Sequence, residues 1–234
     1  MNREEFILEV EKLGISVDEE KVLKLEKFYN LLIDWNNKIN LTTIVEKDAV
    51  YLKHFYDSLT LFKEVDLNSS IKLCDVGSGA GFPGIVLKIF FPNLDIILVD
   101  SLNKRVNYLN EIIKELALSN IVAVHYRMED FSKLHEEEFD IITARAVSNL
   151  NVLAEISVKS LKINGKLVFM KANCEDELSN LSRIYDKLSL NLVSVNRFLL
   201  PVENSNRTLI SLVKNKKTNV KYPRTIDKIK RNPL

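Results

Sequence analysis

The chain has 234 residues, 46% of them apolar, and a formal net charge of +1. Such a composition buries a substantial core and excludes disorder as the default state, while the near-zero net charge names no partner until its distribution is examined. Two cysteines, Cys74 and Cys174, are too few for a disulfide framework and lack CxxC spacing. No run reaches the roughly 18 apolar residues of a membrane span, and the N-terminal MNREEFILEVEKLG is charged and helical in period, unlike a signal peptide. A soluble, cytoplasmic protein is expected.

Taken in chain order, the first third reads as helical. Asp18 suits the N-cap of a helix running to about Lys38, with Val22, Leu25, Phe28, Leu32, Trp35 and Ile39 recurring every three or four residues. A second helix is predicted over Lys47 to Lys63, and Asp66 to Ser70 reads as a turn. From Ile71 the pattern changes to alternating strands and helices. IKLCDV, DIILVD, IVAVHY, FDIITARA and GKLVFMKA are β-rich, with PGIVLKIF, KRVNYLNEIIKELA and NVLAEISVKSL as helices among them. This spacing predicts a parallel, doubly wound sheet. A helical EDELSNLSRIYDKL is followed by two further β-like runs, LVSVNRFLL and RTLISLVKN, with a polar hairpin connection at Pro201 to Asn206. An antiparallel pair added after five parallel strands favours a methyltransferase sheet over a dinucleotide fold, whose second half repeats βαβ.

The charge is unevenly spread. Lys214, Lys216, Lys217, Lys221, Arg224, Lys228, Lys230 and Arg231 stand against one acid, Asp227, so the end of the chain carries about +7 and the remainder about −6. The organisation expected is a helical region over 1–68, an α/β domain over 69–213 and a basic tail over 214–234.

The loop CDVGSGAGFPG, Cys74 to Gly84, fits two glycine fingerprints. Gly79 to Gly84 reads G-x-G-x-x-G, the dinucleotide spacing. Asp75 to Gly81 reads as an acid followed by G-x-G-x-G. Both place a strand before the glycines and a helix after them, with Pro83 in that helix's first turn. A pyrophosphate wants N–H donors and no carboxylate nearby, whereas Asp75 favours a ligand bearing an ammonium group, as S-adenosylmethionine does. Asp100, ending the next strand 21 residues after Gly79, would accept the ribose hydroxyls of either ligand. The acid favours a methyl donor; a nicotinamide- or flavin-dependent oxidoreductase is the alternative.

Six blocks in order carry a resemblance over nearly the whole chain: WNNKINLTTI (35–44), KHFYDSL (53–59), DVGSGAGFPGI (75–85), LVDSLNKRVNYL (98–109), ARAV (144–147) and YPR (222–224). In these the chain resembles the glucose-inhibited-division protein B family. The resemblance implies a class I, Rossmann-like methyltransferase fold, with a mainly parallel seven-stranded sheet, an antiparallel C-terminal strand and a preceding helical region. It implies methyl transfer from S-adenosylmethionine to guanine N7 in the 530 loop of 16S ribosomal RNA, on naked RNA or a small-subunit precursor, by a monomer.

The same resemblance puts cofactor contacts on Gly77 and Phe82 of the glycine loop, beside Asp75, Gly79 and Gly81. It places Met128 and Glu129 against the adenine and Arg145 beside the methyl-transfer cleft. Core packing is the structural alternative for Phe82 and Met128, and a solvated helix start for Glu129. Guanine N7 has a free lone pair and no proton, so no general base is required; the chain has neither a [DNS]-P-P-[FYW] motif after its fourth strand nor a Pro-Cys nucleophile. Catalysis is then proximity and orientation, with Arg145 as a positioning group. For RNA phosphates the candidates are Lys221, Arg224, Lys228, Lys230 and Arg231, with His54, Lys53, Asn36 and Asn40 at the cleft mouth. The tail departs from the family after YPR, where a glycine, a proline and a lysine are replaced by Asp227, Ile229 and Arg231. His125 and His135 show no ligand spacing, and no metal is expected. A non-catalytic RNA-binding assembly factor on the same fold is a further alternative.

Overall fold

The computed structural model describes residues 1–145 and 147–234. Helix α1 (Arg3–Lys12) opens with a capping box in which Asn2 and Glu5 satisfy each other's backbone N–H groups. Helix α2 (Glu19–Ile39) starts at Asp18, whose side chain accepts from the Lys21 N–H, and stops where Asn40 turns left-handed. The second expected helix is a continuous helical run that changes pitch: α3 (Lys47–Val50), a π-turn (Tyr51–Tyr56), α4 (Asp57–Leu59) and a 3-10 turn (Thr60–Lys63). The hydroxyls of Ser58 and Thr60 donate back to the carbonyls of His54 and Asp57, a competition that disturbs a regular ladder.

The alternating part then follows: β1 (Lys72–Val76), α5 (Gly84–Phe90), β2 (Asp95–Asp100), α6 (Asn103–Glu115), β3 (Ile121–His125), α7 (Met128–Leu134), β4 (Phe139–Arg145), α8 (Leu150–Ser157) and β5 (Leu161–Lys171). Ala146, where the FDIITARA strand and the ARAV block were read, lies outside the described residues. The stretch expected as one helix after β5 is split into α9 (Glu175–Ser179), a 3-10 turn (Leu181–Ile184) and α10 (Tyr185–Leu188). The hairpin β6 (Leu190–Leu199) and β7 (Asn206–Lys214) completes the sheet, and α11 (Ile226–Arg231) ends the chain.

The seven strands lie in the order β3-β2-β1-β4-β5-β7-β6, with β1 to β5 parallel and β7 antiparallel to both neighbours. The order reverses between β1 and β4, where open sheets of this kind gather ligands beyond their carboxyl ends. One core joins the N-terminal helices to α5, α6 and the sheet face they cover; a second lies under α7, α8 and the chain's end. Every residue of α5 is buried, as its all-round apolar sequence predicts, and the Lys88 ammonium is satisfied by the carbonyls of Pro92 and Leu94. Both cysteines are buried thiols, and burial pushes the Cys74 thiol well above its ordinary pKa.

Lys214 corrects the tail. Counted with the basic end by its charge, it is the last residue of β7 and fully buried, its ammonium held by the carbonyls of Val158 and Leu161 and by Glu137. The segment beyond it is packed: Tyr222 and Ile229 enter the second core, and Thr218 bonds to the carbonyl of Val158.

Candidate active site

The glycine loop is shaped by its own hydrogen bonds. Gly77 and Ser78 donate their N–H groups to the carbonyl of Val99, and Gly81 donates to Ser78, so β1 is tied to the end of β2 as the chain turns. Gly77 has φ +67°, and a Cβ there would meet Val147 Cγ2 at 2.7 Å. Only glycine fits this approach.

Asp75 sits differently from expectation. It is fully buried, and its Oδ2 accepts the Gly84 N–H at 3.0 Å, anchoring the start of α5. Its Oδ1 has no partner among the described residues, and desolvation raises its pKa to about 7. The first role of this carboxylate is therefore inside the loop, with one buried oxygen left over. Asp100, 2% exposed, accepts the Gly79 N–H through Oδ2 and the Leu102 N–H through Oδ1, each at 2.9 Å. Gly79 thus presents its N–H to a protein acid, and the glycine turn is latched to the end of β2.

Beyond β1 and β2 lies a cleft of about 140 Å³ lined by Gly77, Val99, Ser101, Met128, Glu129 and Val147. Met128 and Glu129 begin α7, and Glu129 Oε1 is buried without a partner among the described residues. The close approach at Gly77 and the orphaned Glu129 Oε1 in this cleft, with Asp100 ending β2 between the lining residues Val99 and Ser101, suit a nucleoside-bearing ligand.

A second cleft, about 510 Å³, opens beyond β4 and β5 and is lined by Ile44, His54, Asp57, Arg145, Asn173 and Arg207, among others. The Arg145 guanidinium, pointing off the end of β4, donates to the Lys53 carbonyl at 2.8 Å and to Asp57 Oδ2 at 3.1 Å. Its other nitrogen is 3.1 Å from His54 Nδ1, and the group lies 5.1 Å above the Phe82 ring. Arg207 donates to the second oxygen of Asp57 at 2.9 Å. His54 Nδ1 lies 3.1 Å from both the Arg145 guanidinium and the Lys53 carbonyl, and its Nε2 lies 3.0 Å from Thr42 Oγ1, so both ring nitrogens are engaged within the protein. Burial, reinforced by Arg145, depresses the His54 pKa to about 3, so the imidazole is neutral. The π-turn is what brings this ring over Phe82, with which it stacks at 4.4 Å.

Several expected residues are placed in new roles by these contacts. Phe82 is 4% exposed and packed between Phe28, Phe55 and His54, a plinth beneath Arg145. His54, buried and uncharged, orients Arg145 and is not a cationic partner for phosphate. Asn36 accepts the N–H groups of Leu41 and Thr42, holding the loop that presents Thr42 to His54, and Asn40 closes α2. Lys53 pairs with Glu203 at 2.8 Å. Arg224 corrects the phosphate set: its Nε and its terminal nitrogen clamp the fully buried Glu155 of α8 at 2.7 and 2.6 Å. Lys221, Lys228, Lys230 and Arg231 are exposed.

Asp57 and Arg207 were not singled out from sequence. Asp57 lay inside the KHFYDSL block; Arg207, as the charged first turn-out of an apolar strand, carried only that weak signal. Among the described residues no group of three or more His, Cys, Asp and Glu side chains converges, and no helix is long and apolar enough to cross a membrane.

A family model described as rRNA small subunit methyltransferase G (GidB) matches residues 21–209. The chain belongs to this family. A Ribosomal RNA small subunit methyltransferase G from Geobacillus sp. is 42% identical over 227 residues, covering 96% of this chain and 95% of that one. The Bacillus subtilis protein of the same name is 42% identical over 237 aligned positions, covering 100% and 99%. Among solved structures, a SAM-dependent methyltransferase from Aquifex aeolicus shares the fold with TM-score 0.54 at 19% identity, covering 70% of this chain and 93% of that one. M. jannaschii TYW2 in complex with AdoMet aligns with TM-score 0.52 at 15% identity, covering 68% and 76%. The GidB family's methyl donor is S-adenosylmethionine.

Proposed function

We propose that the protein methylates N7 of a guanine in the 530 loop of 16S ribosomal RNA, acting on the small subunit or its precursor, as a cytoplasmic monomer. The observation that carries this reading is the junction of two clefts across the end of β4. Arg145 lines the larger cleft, and Val147, two residues on, lines the smaller one. A methyl donor in one and a base in the other would meet there.

S-adenosylmethionine, when bound, supplies a methyl group activated by sulfonium. The chain's residues hold and exclude. Asp100 offers carboxylate lone pairs beside the backbone N–H groups it already accepts, suited to ribose hydroxyls. Gly77 gives close backbone approach, and Glu129 Oε1 is an acceptor for a donor on the adenine. On the substrate side, Arg145 is oriented by Asp57, His54 and the Lys53 carbonyl, so its position is set before a base arrives.

The state of the basic groups in this cleft supports N7 as the acceptor atom. His54 Nδ1 is covered by Arg145 and its Nε2 by Thr42, while Asp57 is shared between two guanidiniums. None of these is placed to take a proton from an exocyclic amine. N7, with its lone pair available, needs no such acceptor.

Labelled methyl donor incubated with undermethylated small subunits and with naked 16S RNA, followed by digestion mapping, tests the reading. Incorporation at a single 530-loop guanine is expected. No incorporation into either form would favour a non-catalytic assembly factor, and micromolar NADH affinity without affinity for S-adenosylmethionine would favour the oxidoreductase.

A further inference from the structure

The loop between β4 and α8 borders both clefts, through Arg145 on one side and Val147 on the other. Its far end is held by an ion pair from another part of the chain. The Lys171 ammonium, at the end of β5, donates to the Ser148 carbonyl at 2.5 Å and to both oxygens of Glu177 at 3.1 Å. Glu177 Oε2 in turn accepts the N–H of Leu150, the first residue of α8, at 2.7 Å. Asn149 makes no side-chain cap for that helix, so Glu177 supplies the acceptor an N-cap would provide. The pair is largely shielded, with side chains 11% and 23% exposed.

Lys171 also lines the larger cleft together with Ala172 and Asn173. A lysine in a cleft that takes RNA would ordinarily be assigned to a phosphate. Here the ammonium is engaged within the protein, by the Ser148 carbonyl and by the Glu177 carboxylate. Its carboxylate partner caps the helix that contributes Ile156 to the smaller cleft.

We propose that Lys171 and Glu177 form a positioning clamp that fixes the β4–α8 loop between the cofactor and RNA clefts, and that Lys171 is not a phosphate contact. The clamp joins the wall of the RNA cleft after β5 to the loop that separates the two ligands. Loss of either member frees residues 148–150, and with them Val147 above Gly77 and the exit of Arg145 from the sheet. This rests on the methyltransferase reading for its kinetic consequence, while the clamp itself is testable without activity.

The test compares Lys171→Ala, Glu177→Ala, the double variant and the shape-conserving Glu177→Gln. Each single variant is expected to lower kcat about tenfold with little change in the KM for RNA, and the double to be no worse than either single, because the residues act as one unit. RNA affinity and its salt dependence stay as in the parent; a phosphate contact would lower the salt slope by about one. Amide hydrogen exchange of a peptide spanning 147–153 rises in both alanine variants, with the unfolding midpoint of Glu177→Gln close to the parent's. Unchanged exchange overturns the clamp whether or not the protein methylates RNA. Full activity in Glu177→Ala, with Lys171→Ala alone losing RNA affinity and salt slope, overturns it in favour of phosphate binding. Absence of methylation by the parent would instead overturn the functional reading, leaving the exchange result to decide the clamp.

Discussion

Asp57 and Arg145 meet 3.1 Å apart where the helical N-terminal region touches the carboxyl end of β4, although 88 residues separate them in sequence. Arg207 reaches the other carboxylate oxygen from 150 residues away. One acid therefore holds two guanidiniums at the rim of the larger cleft, both largely buried. Removing it leaves like charges facing each other without a counterion. Asp57→Ala is expected to destabilise the fold by about 3 kcal/mol, the usual cost of breaking a buried pair from one side, as read by urea unfolding. Methylation should fall more than cofactor affinity, because the smaller cleft does not include Asp57.

Two glycines of the loop differ in what a methyl group would meet. At Gly77 a Cβ strikes Val147 at 2.7 Å, whereas at Gly79 the nearest atom is the Gly77 carbonyl oxygen at 3.7 Å. Gly79→Ala therefore carries the backbone cost of the left-handed region alone, about 1 kcal/mol. Gly77→Ala adds displacement of the loop that separates the clefts. Calorimetric titration with S-adenosylhomocysteine is expected to show at least about a tenfold larger loss of affinity for Gly77→Ala, since about 1.4 kcal/mol is a factor of ten.

His54 and Asp75 impose opposite pH dependences. The His54 pKa falls from 6.5 to about 3 on folding, so its contribution to stability is present above the unfolded value and is lost as pH falls. The Asp75 pKa rises from 3.8 to about 7, so its contribution is present at low pH and is lost as pH rises through 7. Between about pH 4 and 6.5 the two slopes oppose one another. Asp75→Asn should leave stability rising with pH across that window, and His54→Gln should leave it falling. Denaturant midpoints measured at several pH values for each variant check the sign.

The basic tail divides into an anchor and a surface. Arg224→Ala strips the partner from the buried Glu155 and is expected to cost about 3 kcal/mol of stability. Lys228→Ala, Lys230→Ala and Arg231→Ala alter exposed side chains and should leave the unfolding midpoint unchanged while each lowers the salt slope of RNA binding by about one. Filter binding over a salt series, paired with thermal unfolding, separates the two groups.

The framework was legible because it depends on local pattern. Asp18 capping α2, the alternation from Ile71 onward and the antiparallel pair at the end follow from periodicity and turn chemistry, and the strand order agrees with them. The glycine loop was legible as a motif, but Asp75 was not, because nothing in the sequence says that its oxygen would be taken by Gly84. Charge reading failed in a consistent way. Lys214 was counted with the basic tail and Arg224 among the phosphate contacts, yet one ends a strand flanked on both sides and the other clamps a buried acid. Tyr222 and Ile229, apolar residues among the charges, were the visible sign that this segment packs. The set of Asp57, Arg145, Arg207 and His54 comes from three distant parts of the chain, and only tertiary structure assembles it.

The placement of β7 between β5 and β6 has a consequence during synthesis. Until residue 214 has left the ribosome, β5 has one open edge, and an open edge is a template for unwanted pairing. Asp57 likewise waits for Arg207, which arrives when nearly nine-tenths of the chain has been made. A nascent chain can build the glycine loop early, from β1, α5 and β2, but it cannot finish the larger cleft. Translation that stops between the end of β5 and the end of β6 yields a product with the glycine loop formed, Asp57 without Arg207 and β5 with an exposed edge, material for proteolysis and aggregation.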